Sequence, residues 1–466
     1  MQNKPKLTIS GYRGIWGESL DEQLSFEFGL SYAKLIKNNA SEKQKLNGLK
    51  VLIGQDARKT GVKIFRALAS AFEKENIKID YAGIIPTPSI LLLVNRVDYA
   101  GGIIITASHN PIEYNGLKFL DNAGLFLGQD KIEEINFIKE NLNDFEKNFI
   151  DNPNIEYIKK DFNNDDFREI HIREILKVVD VDLIKKNKFK VTLDPINSAG
   201  SIITQELLKE LGCEINVING EQTGIFSHEA EPLIKNLTQL SDAVKKSNSM
   251  IGFAEDPDAD RLVIVDEKGE IQSEEYTLAL AMKNVFYKTP SDTVVNMSSS
   301  RICEDIANSF GKKLYRSKIG ELNVVHKMME VKAIIGGEGN GGVIYPKVNM
   351  ARDSMVGIAL ILELMARENK TISLIINELP HYLVKKEKIV FNGDMNTLYE
   401  DLKKEFNNAN SVDILDGIRF DWNDYSWIHI RRSNTEPKMW IISEAKTKER
   451  IDELFERAKL IINNIK

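Results

Sequence analysis

Short runs of β-branched and aliphatic residues alternate with longer amphipathic stretches along most of this chain. Between the runs lie stretches such as residues 62–77, in which apolar residues recur near three- and four-residue spacing. Strands that alternate with helices predict an α/β fold with mixed or parallel sheets. The candidate strands cover residues 50–54, 102–105, 190–193, 250–253 and 293–296.

Three of these strands run into polar loops of small residues, in KVLIGQDARKTG, FKVTLDPINSAG and DTVVNMSSSR. The similarity predicts one α/β mixed-sheet unit that is used three times, with starts near residues 50, 190 and 293. The last ninety-odd residues differ, because the β-rich runs WIHIRR and MWIIS flank a loop and a final helix follows. That helix should cover a sheet with one apolar face, formed by Ile451, Leu454, Phe455, Ala458 and Ile461.

The polar stretch 141–154, a turn at 266–269 and a break near 367–371 divide the chain. We therefore predict three repeated α/β domains and a C-terminal α+β domain. The predicted domains are 1–150, 151–268, 269–370 and 371–466.

Charge and cysteine usage narrow the classes of function. With 62 basic and 69 acidic residues the formal charge is −7, which argues against a general nucleic-acid binder. Any phosphate on a ligand would have to be held by locally placed cations. Two cysteines in no framework pattern indicate a reducing compartment. With no apolar signal core and no membrane-length apolar run, we expect a soluble cytoplasmic protein.

The segment AEDPDADR places Asp256, Asp258 and Asp260 directly after a candidate strand. In an extended loop alternate side chains point the same way, so the three carboxylates should converge on a hard cation such as Mg²⁺ or Ca²⁺. An EF-hand is excluded, because Arg261 stands where that loop needs glycine. The alternative is a solvated acidic loop.

Two further loops could contact a ligand. GGEGNGG holds Glu338 and Asn340 among five glycines, which would let the backbone approach a sugar closely, although a tight turn is an equal alternative. IRRSNTEPK offers the donors that a phosphate dianion needs, although a polar turn between strands is again an equal alternative. Those donors belong to Arg431, Ser433, Asn434 and Thr435.

Ser108 follows a buried-looking strand in IIITASHNP. It is not in a G-x-S-x-G elbow and no Ser-His-acid order is evident, so acyl transfer lacks support. Beside a phosphate clamp and a cation loop, the serine suggests phosphoryl transfer, and helix capping is the alternative. Two further candidates are Arg13, presented by the glycine-flanked turn SGYRG, and Arg58, which follows a strand in GQDARKTG and could equally belong to a helix N-cap region.

Taken together, these loops resemble those of the α-D-phosphohexomutase superfamily, which includes phosphoglucomutase, phosphomannomutase and phosphoglucosamine mutase. TASHNP resembles the phosphoserine loop, DPDADR the metal loop, GGEGNGG the sugar-binding loop and RRSNTEPK the phosphate-binding loop. They occur in the family's order over essentially the whole chain. The resemblance implies four domains around a central cleft, with the fourth closing over it.

The resemblance also implies a role for each matching residue. Ser108 would be phosphorylated, and Asp256, Asp258 and Asp260 would bind one Mg²⁺ together with an oxygen of that phosphate. Lys118 would be the general acid/base. Residues near the reacting phosphate would be Arg13, His109 and Arg261. Residues that bind the substrate would be Lys318, Glu338 and Asn340, with Arg431, Ser433, Asn434 and Thr435 on the phosphate that does not react.

The implied reaction interconverts hexose 1-phosphate and 6-phosphate through a bisphosphate intermediate, with hexose 1,6-bisphosphate as activator. The Glu-Gly-Asn-Gly-Gly loop resembles a branch often labelled phosphoglucosamine mutase, so glucosamine phosphate is the favoured substrate. Alternatives are a dual phosphomannomutase/phosphoglucomutase, a non-catalytic sugar-phosphate binder and a sugar-phosphate phosphatase. The expected partners are small hexose phosphates, with no nucleic acid and no membrane, for a monomer or homodimer.

The chain departs from the family pattern at four places. The sugar loop has Gly339 and Asn340 where a serine often follows the glutamate, and it ends in Gly-Gly where many members have Gly-His or Ala-His. Arg432 replaces a proline beside the clamp arginine, and Pro257 replaces a frequent glycine in the metal loop.

Overall fold

The computed structural model of the protein describes residues 6–8, 11–40, 42, 48–151, 164–432 and 438–465. Within these ranges the strands form four sheets. The first is mixed and has the strand order β1-β2-β6-β5-β3-β4. Its strands are β1 Lys6–Thr8, β2 Gly11–Ile15, β3 Lys50–Gln55, β4 Lys78–Ile84, β5 Gly101–Ile105 and β6 Tyr114–Leu120. Its helices are α1 Glu22–Asn39, α2 Gly61–Lys74, α3 Thr87–Arg96, α4 Gln129–Glu140 and α5 Asp144–Lys147.

The second and third sheets have four strands each, flanked by helices. The second comprises β7 Lys190–Asp194, β8 Glu214–Val217, β9 Ile251–Glu255 and β10 Leu262–Asp266, with α6 Asn164–Leu176, α7 Val181–Asn187, α8 Gly200–Glu210 and α9 Thr238–Ser247. The third comprises β11 Thr293–Asn296, β12 Leu314–Ser317, β13 Gly336–Glu338 and β14 Gly342–Ile344, with α10 Glu275–Lys288, α11 Ile302–Ser309, α12 Glu321–Val331, α13 Ser354–Glu368 and α14 Ile372–Asn377.

The predicted threefold repeat is confirmed by the topology of these sheets. The orders β6-β5-β3-β4, β10-β9-β7-β8 and β14-β13-β11-β12 are the same four-stranded unit. In each unit the first strand is parallel to both of its neighbours and the last strand is antiparallel. The first strands, β3, β7 and β11, begin at the predicted starts 50, 190 and 293.

The fourth sheet is antiparallel throughout and has the order β15-β19-β18-β17-β16. Its strands are β15 Leu383–Val390, β16 Ser411–Asp413, β17 Ile418–Asp421, β18 Trp427–Arg432 and β19 Lys438–Ala445, and its helices are α15 Met395–Glu405 and α16 Lys448–Asn464. This confirms the α+β C-terminal domain. One predicted core position of α16 is wrong: Ile462 is buried and Ile461 is only partly buried. Ile462 follows Ala458 by four residues and therefore shares its face.

Buried polar contacts connect the first three units. His171 Nδ1 lies 2.8 Å from Ser89 Oγ, and its Nε2 lies 2.8 Å from Asp353 Oδ2. All three side chains are fully buried, so each polar atom needs its partner. Asp353 also caps α13 by accepting from the Met355 and Val356 amides. The contacts fix the start of α13 against the other two units.

No described helix is both long and apolar enough to serve as a membrane span.

Candidate active site

The loops that carry Ser108, the three aspartates and Glu338 occupy equivalent places in the three repeated units. Each follows the third strand of its unit and leads into the antiparallel fourth strand, between β5 and β6, β9 and β10, and β13 and β14. The loops touch one another: Ser108 Oγ donates to Asp256 Oδ2 at 3.1 Å, and the Leu262 amide donates to the Gly341 carbonyl at 3.0 Å. The repeat therefore brings three distant sequence segments to one place.

Ser108 lies in a turn between β5 and β6, and no helix starts there, so the helix-capping alternative is wrong. The residue is 1% exposed and has a φ of +50°, in the left-handed region. Its Oγ contacts both Asp256 and His109 Nδ1, the latter at 3.2 Å. A strained, buried serine that faces a carboxylate and an imidazole is a typical feature of a functional site.

Arg58 holds the turn that carries Ser108. The guanidinium is buried and donates to four backbone carbonyls, while its Nε bonds Asp56 Oδ2 at 3.0 Å. The carbonyls are those of Ser108 and Asn110, each at 2.7 Å, Pro111 at 2.6 Å and Tyr114 at 3.0 Å. The sequence left the role of Arg58 open between a candidate site residue and part of a helix N-cap region. The N-cap of α2 is Thr60, so Arg58 supports the loop instead.

The three aspartates converge as predicted, with one ligand oxygen from each within 4.8 Å of the others. The expected extended conformation is wrong: residues 257–259 form a turn in which Ala259 has a φ of +53°. Asp258 Oδ1 and Asp260 Oδ1 are buried and accept no hydrogen bond from any described residue. Unsatisfied buried carboxylate oxygens suit a hard divalent cation, so these residues fit a metal ion and could hold one.

The charges around the aspartates show why a cation is needed. Burial, followed by repulsion from Asp260 and Asp258, raises the pKa of Asp256 well above its usual value. Burial would also raise the pKa of Asp258, but the Lys118 ammonium at 2.8 Å and the Thr87 hydroxyl at 2.7 Å hold that pKa well below its usual value. Lys118 on Asp258 and Arg352 on Asp260 thus offset the charge of the three carboxylates only in part.

Arg352, which the sequence reasoning missed, joins the metal loop to the sugar loop. Its guanidinium donates to Asp260 Oδ2 at 2.5 Å, to Glu321 Oε2 at 3.1 Å and to Glu338 Oε2 at 3.0 Å. A Cβ at position 342 would lie 2.3 Å from Arg352 Cδ. The glycine that ends the sugar loop therefore leaves space for the Arg352 side chain. No local sequence pattern around Arg352 predicts this contact.

A cleft of about 460 Å³ lies above these loops and is lined by side chains from all four domains. Seven predicted site residues line it: Arg13, His109, Lys118, Arg261, Glu338, Asn340 and Arg431. The side chain of Lys318 is exposed and is not part of the lining. Ser433, Asn434 and Thr435 lie outside the described residues.

The walls of the cleft offer donors for anions. Arg261 Nε and Arg431 Nε are buried and donate no hydrogen bond to any residue in the described ranges. Burial, followed by the nearby Arg261 and Arg13, lowers the pKa of His109 well below its usual value, so its ring is neutral at neutral pH. Guanidinium groups that keep an N–H free of a hydrogen bond in a cleft wall are suited to phosphate oxygens.

Several further residues line the cleft without having been singled out in the sequence. They come from the third and fourth domains and include Glu275, Asn296, Lys386, Lys388 and Trp440. Lys388 Nζ lies 4.6 Å from the centre of the Trp440 ring. Each stands on a strand or at a helix start whose local sequence is unremarkable, so only the tertiary fold reveals it.

The repeated units and the cationic cleft over a buried serine and three carboxylates define an α/β enzyme that transfers phosphoryl groups. Family models for phosphoglucomutase/phosphomannomutase match all four parts of the chain. Alpha/beta/alpha domain I matches residues 5–144, domain II residues 169–269, domain III residues 273–382 and the C-terminal domain residues 391–460.

Related proteins match this chain over nearly its full length. The chain is 33% identical to a phosphoglucomutase/phosphomannomutase of Thermococcus kodakarensis, covering 96% of each chain. It is 31% identical to a phosphoglucosamine mutase of Methanocaldococcus jannaschii, covering 96% of this chain and 97% of the relative. A crystal structure of a phosphoglucomutase/phosphomannomutase family protein from Burkholderia thailandensis shares the fold, with a TM-score of 0.80, 22% identity and coverage of 97% and 96%.

The chain therefore belongs to the phosphoglucomutase/phosphomannomutase family of phosphohexomutases, and it is an intramolecular phosphotransferase of the isomerase class.

Proposed function

We propose that this enzyme interconverts the 1- and 6-phosphates of a hexose through a phosphorylated Ser108. The observation that carries the proposal is the contact of Ser108 Oγ with Asp256 in a buried carboxylate cluster, beside a cleft that is lined by arginine side chains. A nucleophilic oxygen, a cation site and positioned positive charge are the parts that phosphoryl transfer needs.

In the proposed reaction the bond between phosphorus and Ser108 Oγ breaks as a bond forms to a free hydroxyl of the bound hexose phosphate. The hydroxyl proton goes to a base, and the product is a hexose bisphosphate. After the bisphosphate turns over in the cleft, its other phosphoryl group returns to Ser108. Mg²⁺ on Asp256, Asp258 and Asp260 would supply positive charge against the oxygens of the phosphate in transfer.

Two residues are candidates for moving protons. His109 is neutral and its Nδ1 lies 3.2 Å from Ser108 Oγ, which favours proton exchange with the serine oxygen. Lys118 lines the cleft and is hydrogen-bonded to Asp258, which supports its proposed role at the sugar hydroxyl. Dividing the roles in this way lets each group act on the oxygen that it can reach.

The remaining predicted residues bind and orient the substrate. Arg431 lines the cleft, and its Nε lies 4.0 Å from Asp416 Oδ2 without donating a hydrogen bond to a described residue, which supports its role in holding the phosphate that does not react. Ser433, Asn434 and Thr435 are proposed to complete that clamp, while Arg13 and Arg261 neutralise the reacting phosphate. Glu338 and Asn340 are proposed to bind sugar hydroxyls, and Lys318 to approach when the fourth domain closes and excludes water.

We propose glucosamine phosphate as the preferred substrate and hexose 1,6-bisphosphate as the activator, with a dual phosphomannomutase/phosphoglucomutase as the second candidate. Relatives of both names at similar identity keep the second candidate open. The monomer-or-homodimer state, the four domain boundaries, and the absence of nucleic-acid or membrane partners stay predictions. Two free cysteines support the predicted cytoplasmic location.

The test is ³¹P NMR of the protein with Mg²⁺ and a trace of hexose 1,6-bisphosphate. Glucosamine, mannose and glucose 1-phosphates are offered in separate tubes, with Ser108→Ala protein as the matched control. The proposal predicts that a 1-phosphate signal is replaced by the 6-phosphate signal without free phosphate, fastest for glucosamine and absent in the control. Release of inorganic phosphate alone would favour a phosphatase, and binding without conversion would favour a non-catalytic relative.

A further inference from the structure

A carboxylate from outside the sugar loop occupies the space next to Glu338. A Cβ at position 339 would lie 2.0 Å from Glu275 Oε2 and 2.5 Å from its Cδ. Any side chain at this position would displace the carboxylate of Glu275. The glycine that follows Glu338, where the family often has serine, therefore lets Glu275 approach the loop that is proposed to bind sugar.

Glu275 begins α10 and is 2% exposed, yet its side chain forms part of the cleft wall. Its two oxygens differ. Oε2 accepts from the Ser300 amide at 2.9 Å, whereas the buried Oε1 accepts no hydrogen bond within the described part of the chain. The nearest cation is Lys386 Nζ at 3.6 Å, and that ammonium donates to Glu274 Oε1 at 2.9 Å. A buried acceptor without a donor is costly unless a ligand supplies one.

The carboxylate of Glu338, which belongs to the sugar loop itself, has more hydrogen-bond partners. Its oxygens accept from Asn296 Nδ2 at 2.9 Å, from the Gly320 amide at 3.1 Å and from Arg352 Nη1 at 3.0 Å. Its charge is thus compensated by a guanidinium, and a neutral sugar hydroxyl suffices for a remaining lone pair. Glu275 is compensated more weakly, because Lys386 Nζ lies 3.6 Å from Oε1, beyond hydrogen-bond distance, and donates to Glu274. Oε1 can therefore accept a positive charge at closer range.

The charge state of Glu275 agrees with this difference. Burial, only partly offset by Lys386, raises the pKa of its carboxyl to about 8. In the free protein at neutral pH the group therefore keeps a proton. A cationic group that reached Oε1 would replace that proton, because an opposite charge at contact distance favours the ionised carboxylate.

We propose that Glu275 is a specificity-determining residue that receives the protonated amino group of a hexosamine phosphate in the cleft. The inference rests on the proposed function, since it assigns the substrate class of the same site. An ammonium group satisfies both needs of Oε1, a donor and a positive charge, whereas a hydroxyl at the same ring position supplies only the donor.

The experiment compares kcat/KM for glucosamine 6-phosphate with kcat/KM for glucose 6-phosphate in wild type and in Glu275→Gln. The substitution keeps the size of the side chain and removes its charge. We expect the ratio of the two values to fall by about tenfold or more, as for the loss of one charge-assisted hydrogen bond. Glu270→Gln is the matched control: it removes an exposed carboxylate that does not line the cleft, and its ratio should stay near that of wild type.

Gly339→Ala provides a second route to the same result. It leaves Glu275 in the chain but places a methyl group where Oε2 now lies, so the ratio should fall in the same direction. An unchanged ratio in either substituted enzyme, while wild type isomerises hexose phosphates, overturns the role of Glu275 and leaves the proposed function standing. A wild type that isomerises neither sugar phosphate overturns the proposed function itself.

Discussion

Replacing Arg58 with lysine tests how the turn that carries Ser108 is held in place. The guanidinium has five N–H donors, and each makes a hydrogen bond: four with backbone carbonyls of residues 108–114 and one with Asp56. A lysine at this position keeps the positive charge but offers three donors. At least two of the five hydrogen bonds must therefore be lost.

The size of the effect follows from the burial of the acceptors. Each buried acceptor that loses its donor costs about 1–3 kcal/mol, so two lost bonds destabilise the turn by about 2–6 kcal/mol. The turn also positions Ser108 Oγ between Asp256 and His109. A displacement of about 1 Å in a reacting group lowers turnover by about 100-fold. We therefore expect Arg58→Lys to lose both local stability and activity.

The assay is hydrogen–deuterium exchange of the segment 101–120, together with kcat for hexose phosphate isomerisation. Arg66→Lys is the matched control, because Arg66 is half exposed and its side chain makes one ion pair, with Asp151 at 2.9 Å. The control should change the free energy of local opening by less than about 1 kcal/mol. Wild-type exchange protection and wild-type kcat in Arg58→Lys would refute the account of how the turn is held.

Two further predictions concern the metal loop and the second domain. Asp258→Asn removes a carboxylate whose Oδ1 is buried and free to ligate, so the affinity for Mg²⁺ measured by calorimetry should fall by about tenfold or more. Asp242→Asn, on the exposed surface, is the control and should leave that affinity unchanged. An unchanged Mg²⁺ titration for Asp258→Asn would remove this loop from the metal site. Burial would lower the pKa of His228, but Asp194 Oδ2, 3.2 Å from its Nε2, outweighs burial and raises it above 6.5. The stabilisation from this pair is therefore complete below about pH 6.5 and is lost as pH rises through the folded-state pKa of His228. Urea unfolding should accordingly show that His228→Gln destabilises the protein more at about pH 5.5 than at about pH 8.5. Equal destabilisation at both values would show that the pair does not titrate as the geometry indicates.

Local sequence patterns were sufficient for the strands and for the repeat. The runs at 50–54, 190–193 and 293–296 are strands in the structure and start the three equivalent units. A strand depends on residues that are adjacent in sequence, and a repeated unit leaves the same pattern wherever it occurs. In α16 the same reasoning selected Ile461 in place of Ile462, since neighbouring positions on a helix both lie near an apolar stripe.

The candidate site was predictable where its residues lie in compact loops and not where they arrive from elsewhere. The spacing of Asp256, Asp258 and Asp260 predicts their convergence, although a turn and not an extended segment brings them together. Arg352 and Glu275 carry no such signal. Each fills space left by a glycine of the sugar loop, and that fit exists only after the chain has folded.

The most direct test of the central claim is transfer of a labelled phosphoryl group to Ser108. The protein is incubated with Mg²⁺ and hexose 1,6-bisphosphate labelled with ³²P, quenched, digested and mapped, with Ser108→Ala in parallel. The account predicts one label per chain on the peptide that contains Ser108, which a hexose monophosphate added in excess then removes as bisphosphate, and no label in the variant. Label on another residue, or equal label in Ser108→Ala, would contradict a reaction that passes through this serine.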